Sequence, residues 1–186
     1  MTKAVVGLTG MPGAGKAVFQ NIAKRKGFTV VVMGNEIREA TKRRGLKPSP
    51  ENIGKVMLQL RKEEGPAVVA KRCIPKIDNA KGKVILVDGI RSLHEVKEYK
   101  RHFSNFILIA IHSSPEARFQ RLFRRKRSDD PKSWETFLKR DQRELSVGQG
   151  DAIAMADYLI VNEGTREEFK TKIHDVLETA VKRWMK

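Results

Sequence analysis

Acidic residues are scarce in this chain. Only 22 Asp and Glu stand against 38 Lys and Arg, a net charge of +16 over 186 residues. A field of that sign and size attracts phosphates, from single nucleotides up to RNA, without choosing among them. Cysteine is nearly absent, and the lone Cys73 cannot close an internal disulfide. That sets aside the disulfide-stapled secreted class and points to a reducing compartment. No His or Cys partner sits near Cys73 at metal-ligand spacing, so it reads as a buried thiol. The four histidines (His94, His102, His112 and His174) are scattered and outline no metal site. Aromatic residues make up only 6%, little for an RNA binder that works by base stacking. No apolar run is long enough to span a bilayer. The N-terminal run through Val5, Val6 and Leu8 is strand-length and lacks signal-peptide form. The expectation is a soluble, cytoplasmic protein with no membrane partner, one domain over 1–186, and a core that needs no staples.

Strand-like apolar runs alternate with helical periods. Ala4–Leu8, Thr29–Val32, Lys83–Val87, Asn105–Ile111 and Tyr158–Val161 are rich in Val and Ile and nearly continuous in apolar residues. Such runs suit strands buried on both faces, and the alternation predicts an α/β fold with a five-stranded parallel sheet flanked by helices. The rhythm breaks between Pro48 and Lys76, where two helical segments follow one another without a strand. Ser49-Pro50-Glu51 starts the first, and Gly65-Pro66 separates them. This stretch reads as an insert over an acceptor site, within residues 34–80.

The run from Gly10 through Met11, Pro12, Gly13, Ala14 and Gly15 to Lys16 follows the first strand and precedes a helical segment, Ala17 to Lys26. That is the setting of a P-loop. Its glycines let several backbone N–H groups converge on one oxyanion, the helix N-terminus adds its dipole, and Lys16 reaches the β- and γ-phosphates. ATP is the cofactor this predicts. The next residue in such loops is usually Ser or Thr, whose hydroxyl helps hold Mg²⁺. Here it is Ala17, followed by Val18. The third strand ends Val84-Ile85-Leu86-Val87-Asp88, which places the Asp88 carboxylate beside the loop, where it can orient a Mg²⁺-bound water.

The spelling GMPGAGK resembles the loop of nucleoside-monophosphate kinases, in which the lysine is not always followed directly by a hydroxyl. Other segments carry the resemblance on. Met33-Gly34-Asn35-Glu36-Ile37-Arg38 is similar to the TGDxLR segment of adenylate kinases, which implies Gly34, Asn35 and Arg38 at the acceptor, with Arg38 on its phosphate. Asp88-Gly89-Ile90-Arg91 resembles their DGFPR segment, with Arg91 one residue early. Arg121 and Arg125, at i and i+4, resemble their RxxxR pair, and Arg127-Ser128-Asp129-Asp130 their RxDD segment. Arg140 and Arg143 follow on another helix. Together these outline a short helical lid over about 121–145, able to bring positive charge to the moving phosphoryl group and to exclude water. The last strand and its sequel, Ala156 to Thr165, resemble the end of dephospho-CoA kinases, which implies that Asn162, Gly164 and Thr165 lie against the adenine. Thr165 also reads as a helix N-cap.

These matches cover nearly the whole chain, which is identified as a member of the archaeal adenylate-kinase-related family of P-loop kinases. The resemblance implies ATP binding and a nucleotide-like acceptor. Asn35 weakens the case for a hydroxyl acceptor, because an amide cannot take up a hydroxyl proton, although Asp88 could stand in as the base. A phosphate acceptor is already ionised and needs only positioning and charge neutralisation. AMP is therefore favoured. Lys16, Asp88, Arg121, Arg125 and Arg140 are the catalytic candidates, with Asp88 also facing the metal. A dephospho-CoA-type hydroxyl kinase is one alternative. An RNA-associated ATPase or a weakly active nucleotide-binding regulator is the other, kept open by Ala17 and by basic clusters such as Lys42-Arg43-Arg44.

Overall fold

A computed structural model describes residues 3–126 and 130–184. The central strand β1 (Ala4–Thr9) feeds the glycine-rich loop and α1 (Lys16–Arg25). Next come β2 (Thr29–Val32), α2 (Gly34–Arg43), α3 (Pro50–Glu64), α4 (Val68–Asp78) and β3 (Val84–Asp88). The chain continues through α5 (Leu93–His102), β4 (Asn105–His112), α6 (Pro115–Arg125), α7 (Trp134–Ser146) and α8 (Gln149–Ala154). It closes with β5 (Tyr158–Val161) and α9 (Arg166–Trp184). The five strands form one parallel sheet in the order β2-β3-β1-β4-β5. Their carboxyl ends all lie along one edge, where open α/β sheets build ligand sites. The predicted strands are all present, each within a residue of its expected ends.

Successive residues of a strand point to opposite faces, so the sheet separates two cores. Val5, Ile85, Val87 and Leu108 pack beneath α2 to α5, with Val56, Leu60, Ile77 and Tyr99 fully enclosed. Val6, Leu8, Leu86, Ile107 and Ile109 pack on the other face against Phe19 of α1 and Ile173 and Leu177 of α9. Cys73 lies buried in the first core, where desolvation pushes its thiol up to about 12. The two edge strands depart from the expected two-sided burial, and every residue of β2 is only partly buried. Ile160 of β5 is enclosed, but Leu159 and Val161 are 55% and 42% exposed. β5 is an edge strand with α9 against one face, and its apolar run was long enough to mimic an inner strand.

The helices that crowd between β2 and β3 begin as the sequence indicates. Ser49 Oγ accepts from Asn52 N at 3.2 Å, Pro50 opens α3, and Gly65 ends it. α4 is held from outside. Lys3 Nζ donates to the carbonyls of Ile77 (2.6 Å), Asp78 (2.6 Å) and Ala80 (2.5 Å) at its C-terminal end. An ammonium at a helix C-terminus satisfies orphan carbonyls and complements the dipole. Replacing Lys3 by Met should therefore lower the unfolding free energy by about 1–2 kcal/mol. Urea titration monitored by circular dichroism would read this, and no change in midpoint would show that water replaces the ammonium without loss. No helix among the described residues is long and apolar enough to cross a membrane.

Candidate active site

The loop from Gly10 to Lys16 is fastened by its carbonyls. Gln149 Nε2 donates to Gly10 O at 2.8 Å, and Asn162 Nδ2 donates to Ala14 O at 2.8 Å. Arg118 Nη1 donates to Pro12 O at 3.2 Å, and Arg121 Nη1 approaches Gly13 O at 3.5 Å. Thr9 Oγ1, just before the loop, donates to Ile90 O at 2.8 Å. Ala14 N donates to Met11 O at 3.1 Å, and with these carbonyls engaged the loop's other N–H groups are left for an anion. Gly15 shows why the residue type matters. Its φ is 116°, and a Cβ there would fall 2.6 Å from Asn162 Nδ2.

Lys16 curls over the loop and donates to Gly10 O and, at 3.2 Å, to Met11 O. Burial depresses its ammonium to about 8, opposed by Asp88 and reinforced by Arg91. Asp88 is pushed up by its own burial, while Lys16, Arg91 and a 2.5 Å hydrogen bond from Gln20 Nε2 pull it back. Its other oxygen, Oδ1, is buried with no hydrogen-bond partner among the described residues.

A cavity of about 350 Å³ opens in front of the loop. Pro12, Gly13, Gly15, Lys16 and Ala17 line it, together with Arg38 of α2, Asp88 and Arg91 after β3, Arg121 and Arg125 of α6, and Arg140 of α7. Eleven residues singled out in the sequence thus face one space. Gly10, Met11 and Ala14 are buried within the loop itself. Arg121 is anchored by Ser113 Oγ (2.7 Å) and Asn162 O (2.7 Å), and Arg125 forms a bidentate pair with Asp130 at 3.0 and 2.5 Å. Arg127, Ser128 and Asp129 lie outside the described residues.

A second, more enclosed cavity of about 130 Å³ adjoins the first and shares Arg38, Arg91 and Arg140 with it. Gly34, Ile37, Ile53, Met57, Arg143 and Glu144 complete much of its wall. Asn35 stands beside it with Oδ1 accepting from Arg38 Nη1 at 3.0 Å, so this amide orients the arginine. Gly164 and Thr165 are exposed at the start of α9. There Thr165 Oγ1 accepts from Glu168 N (3.2 Å) and Thr165 N donates to Glu168 Oε2 (2.8 Å), a reciprocal cap.

Sequence reasoning missed the buried acids and their partners. Asp141 of α7 holds Arg118 through two bonds of 2.9 and 2.5 Å, and that guanidinium also lies 5.0 Å above the Phe137 ring. Glu144 accepts from Arg91 Nε at 2.6 Å. Burial would raise the Glu144 carboxyl, but Arg91, Arg140 and Arg143 outweigh it and hold it below the usual range. Glu95, fully enclosed, accepts from Arg91 N (2.7 Å) and from Arg61 of α3 (2.6 Å). The available signal was the spacing of Asp141 and Glu144, three apart and facing one way on α7.

Sheet order, anion-cradling loop and arginine-lined cavities define a P-loop protein with the fold of small-molecule kinases. The chain belongs to the AAA domain family, whose pattern matches residues 9–138, and to the group of proteins named UPF0200. It is 43% identical over 185 residues to UPF0200 protein PH1008 of Pyrococcus horikoshii, covering 97% of this chain and 99% of that one. To UPF0200 protein MJ1399 of Methanocaldococcus jannaschii it is 45% identical over 176 residues, covering 94% and 89%. Among solved structures, a shikimate kinase from Acinetobacter baumannii, in complex with shikimate, matches with a TM-score of 0.59 at 17% identity, covering 100% of this chain and 97% of that one. A gluconokinase from Sinorhizobium meliloti also scores 0.59, at 11% identity, covering 99% and 97%. At such identities the likeness speaks for the fold alone.

Proposed function

We propose that the protein is an ATP-dependent phosphotransferase whose acceptor is a phosphate-bearing nucleotide, with AMP as the favoured case. What carries this reading is the corner of Arg38, Arg91 and Arg140, which belongs to both cavities. A donor phosphate on the loop and an acceptor phosphate in the second cavity would meet at that corner, beside Lys16 and Asp88. An acceptor phosphate oxygen attacks the γ-phosphorus while the bond to the β–γ bridging oxygen breaks, giving two molecules of ADP from ATP and AMP. The protein's part is alignment and charge neutralisation. The adenylate-kinase-like motifs support the same choice. Gly164 and Thr165, next to the loop's Asn162 clasp, are assigned to the adenine side.

The residues present also fit Mg²⁺. Asp88 Oδ1 is an unpartnered acceptor at the cavity, and Ala17 contributes only a methyl group. Magnesium tolerates this, since it commonly keeps several waters and relies on the phosphates for the rest. When bound it would neutralise the charge that develops on the phosphoryl oxygens. A hydroxyl acceptor would have to use Asp88 as its base. Asn35 is an amide already engaged with Arg38, and Glu144 is tied up as a charged partner of Arg91. A nucleotide-binding regulator with weak turnover is the second reading, favoured by Ala17 alone.

Transfer of labelled γ-phosphate from ATP to AMP, other monophosphates, dephospho-CoA, a short RNA or no acceptor tests the assignment. Fast labelling of a monophosphate is expected. Arg38→Ala should raise the acceptor KM about ten- to a hundredfold, the loss of a charge-assisted phosphate bond, while sparing the ATP KM. An unchanged acceptor KM would remove the acceptor half of the scheme, and tight ATP binding without transfer would leave the regulator.

A further inference from the structure

The enclosed acceptor cavity is small. Its roughly 130 Å³ is far below the ~300–1,000 Å³ of pockets that swallow drug-sized ligands. A nucleotide-sized acceptor must therefore extend out of it. The way out is marked. A third, open cavity of about 660 Å³ shares Pro50, Arg140 and Arg143 with the enclosed one and runs outward between the start of α3 and the outer part of α7. Lys132 stands on its wall, as does Lys139, which pairs with Glu135 at 2.6 Å. The two acids there are engaged elsewhere, Glu51 with Lys55 and Asp130 with Arg125, so the groove keeps a positive surplus.

Arg143 sits at the junction of the two spaces. Its guanidinium has no hydrogen bond or ion pair with any described residue, and its Nε is buried without a partner. One of its five donors, the Nε–H, is thus enclosed without an acceptor, and the Nη groups open to the cavity, where an anion can reach them. Room has been made for it. Gly54 lies in the interior of α3, where glycine costs about 1 kcal/mol relative to alanine. A Cβ at Gly54 would come within 2.7 Å of Arg143 Nη1. The glycine lets the guanidinium come close against α3.

We infer that Arg143, seated on Gly54, receives a second anionic group of the acceptor, so that the preferred acceptor is a nucleotide with two separate phosphates rather than a simple monophosphate. This rests on the phosphotransferase reading and names its substrate class. The reacting phosphate takes the Arg38, Arg91 and Arg140 corner. The second leaves through the junction, with Lys132 beyond it.

Calorimetric titration with adenosine 3′,5′-bisphosphate and with AMP is the test, alongside the transfer assay with both. The bisphosphate is expected to bind about tenfold or more tightly than AMP, the ratio one charge-assisted contact supplies. Arg143→Met should bring that ratio close to one. Gly54→Ala should do the same by displacing the guanidinium, while favouring the helix, so loss of preference there is not loss of folding. ATP affinity verifies that each variant is intact. Equal affinity for the two ligands in the unaltered protein overturns the inference, as does a ratio that survives Arg143→Met. A 5′-phosphorylated oligonucleotide whose affinity keeps climbing with length and ignores Arg143→Met overturns it in favour of RNA. If no acceptor is phosphorylated but the bisphosphate preference is present and lost in both variants, the phosphotransferase reading fails and the anion site stands.

Discussion

Replacing Arg118 by Met is expected to lower the unfolding free energy by about 3–5 kcal/mol, a large share of what holds a domain of this size folded. Arg118 is 4% exposed and Asp141 6%. Their two hydrogen bonds join α6 to α7, and the same guanidinium donates to Ser113 O at 3.1 Å and to Pro12 O of the loop. Removing it strands a charged carboxylate in the interior and leaves two carbonyls short of a donor. The penalty comes chiefly from the stranded charge, so Arg118→Met with Asp141→Leu should recover most of it. Guanidinium denaturation of the single and double variants gives the answer. A single variant within about 1 kcal/mol of the original would mean that water reaches Asp141 and that α7 is not locked to the core.

Lys16→Met should abolish measurable ATP binding and yet raise the melting temperature of the ligand-free protein. The two effects share one cause. Burial holds the Lys16 ammonium at about 8, against 10.5 for the ordinary group. At neutral pH it is charged in both folded and unfolded chains, and the folded state bears the desolvation. A folded value below the unfolded one means stability increases as pH rises from about 8 towards 10.5, where the unfolded chain still binds the proton and the folded one has released it. Methionine removes that burden. ATP needs the charged form, so the affinity of the unaltered protein should stay level up to about pH 8 and fall about tenfold per unit above it. Calorimetry in buffers of different ionisation heat should show proton uptake above pH 8. An affinity flat across that range would show that the lysine is better solvated than its place suggests. A lower melting temperature for Lys16→Met would show that its bonds to Gly10 and Met11 outweigh desolvation.

The sheet was legible because β1, β3 and β4 are covered on both sides and their sequences carry no alternation to confuse. β5 misled for the same reason, since Leu159 and Val161 are apolar without being enclosed. The P-loop and the cavity-facing arginines were legible as local patterns. What holds them was not. Gln149, Asn162, Arg118 and Glu144 act on partners up to 148 residues away in the chain, and no local period announces such pairings. Arg118 sits on the same helix as Arg121 and Arg125, yet only the fold reveals that it is a structural member while they face the cavity as their spacing suggested. Gly54 reads as a flaw in a helix until Arg143 is laid across it.

The clasps on the loop's carbonyls have a consequence for how the protein comes into being. Gly10 to Lys16 leave the ribosome well before Gln149 and Asn162, two of the donors that shape them. A nascent chain can form its first strands and α1 long before that. It cannot hold the loop in its anion-receiving shape until α8 and β5 have joined the sheet. Nucleotide is therefore retained only by a chain in which these distant segments have met.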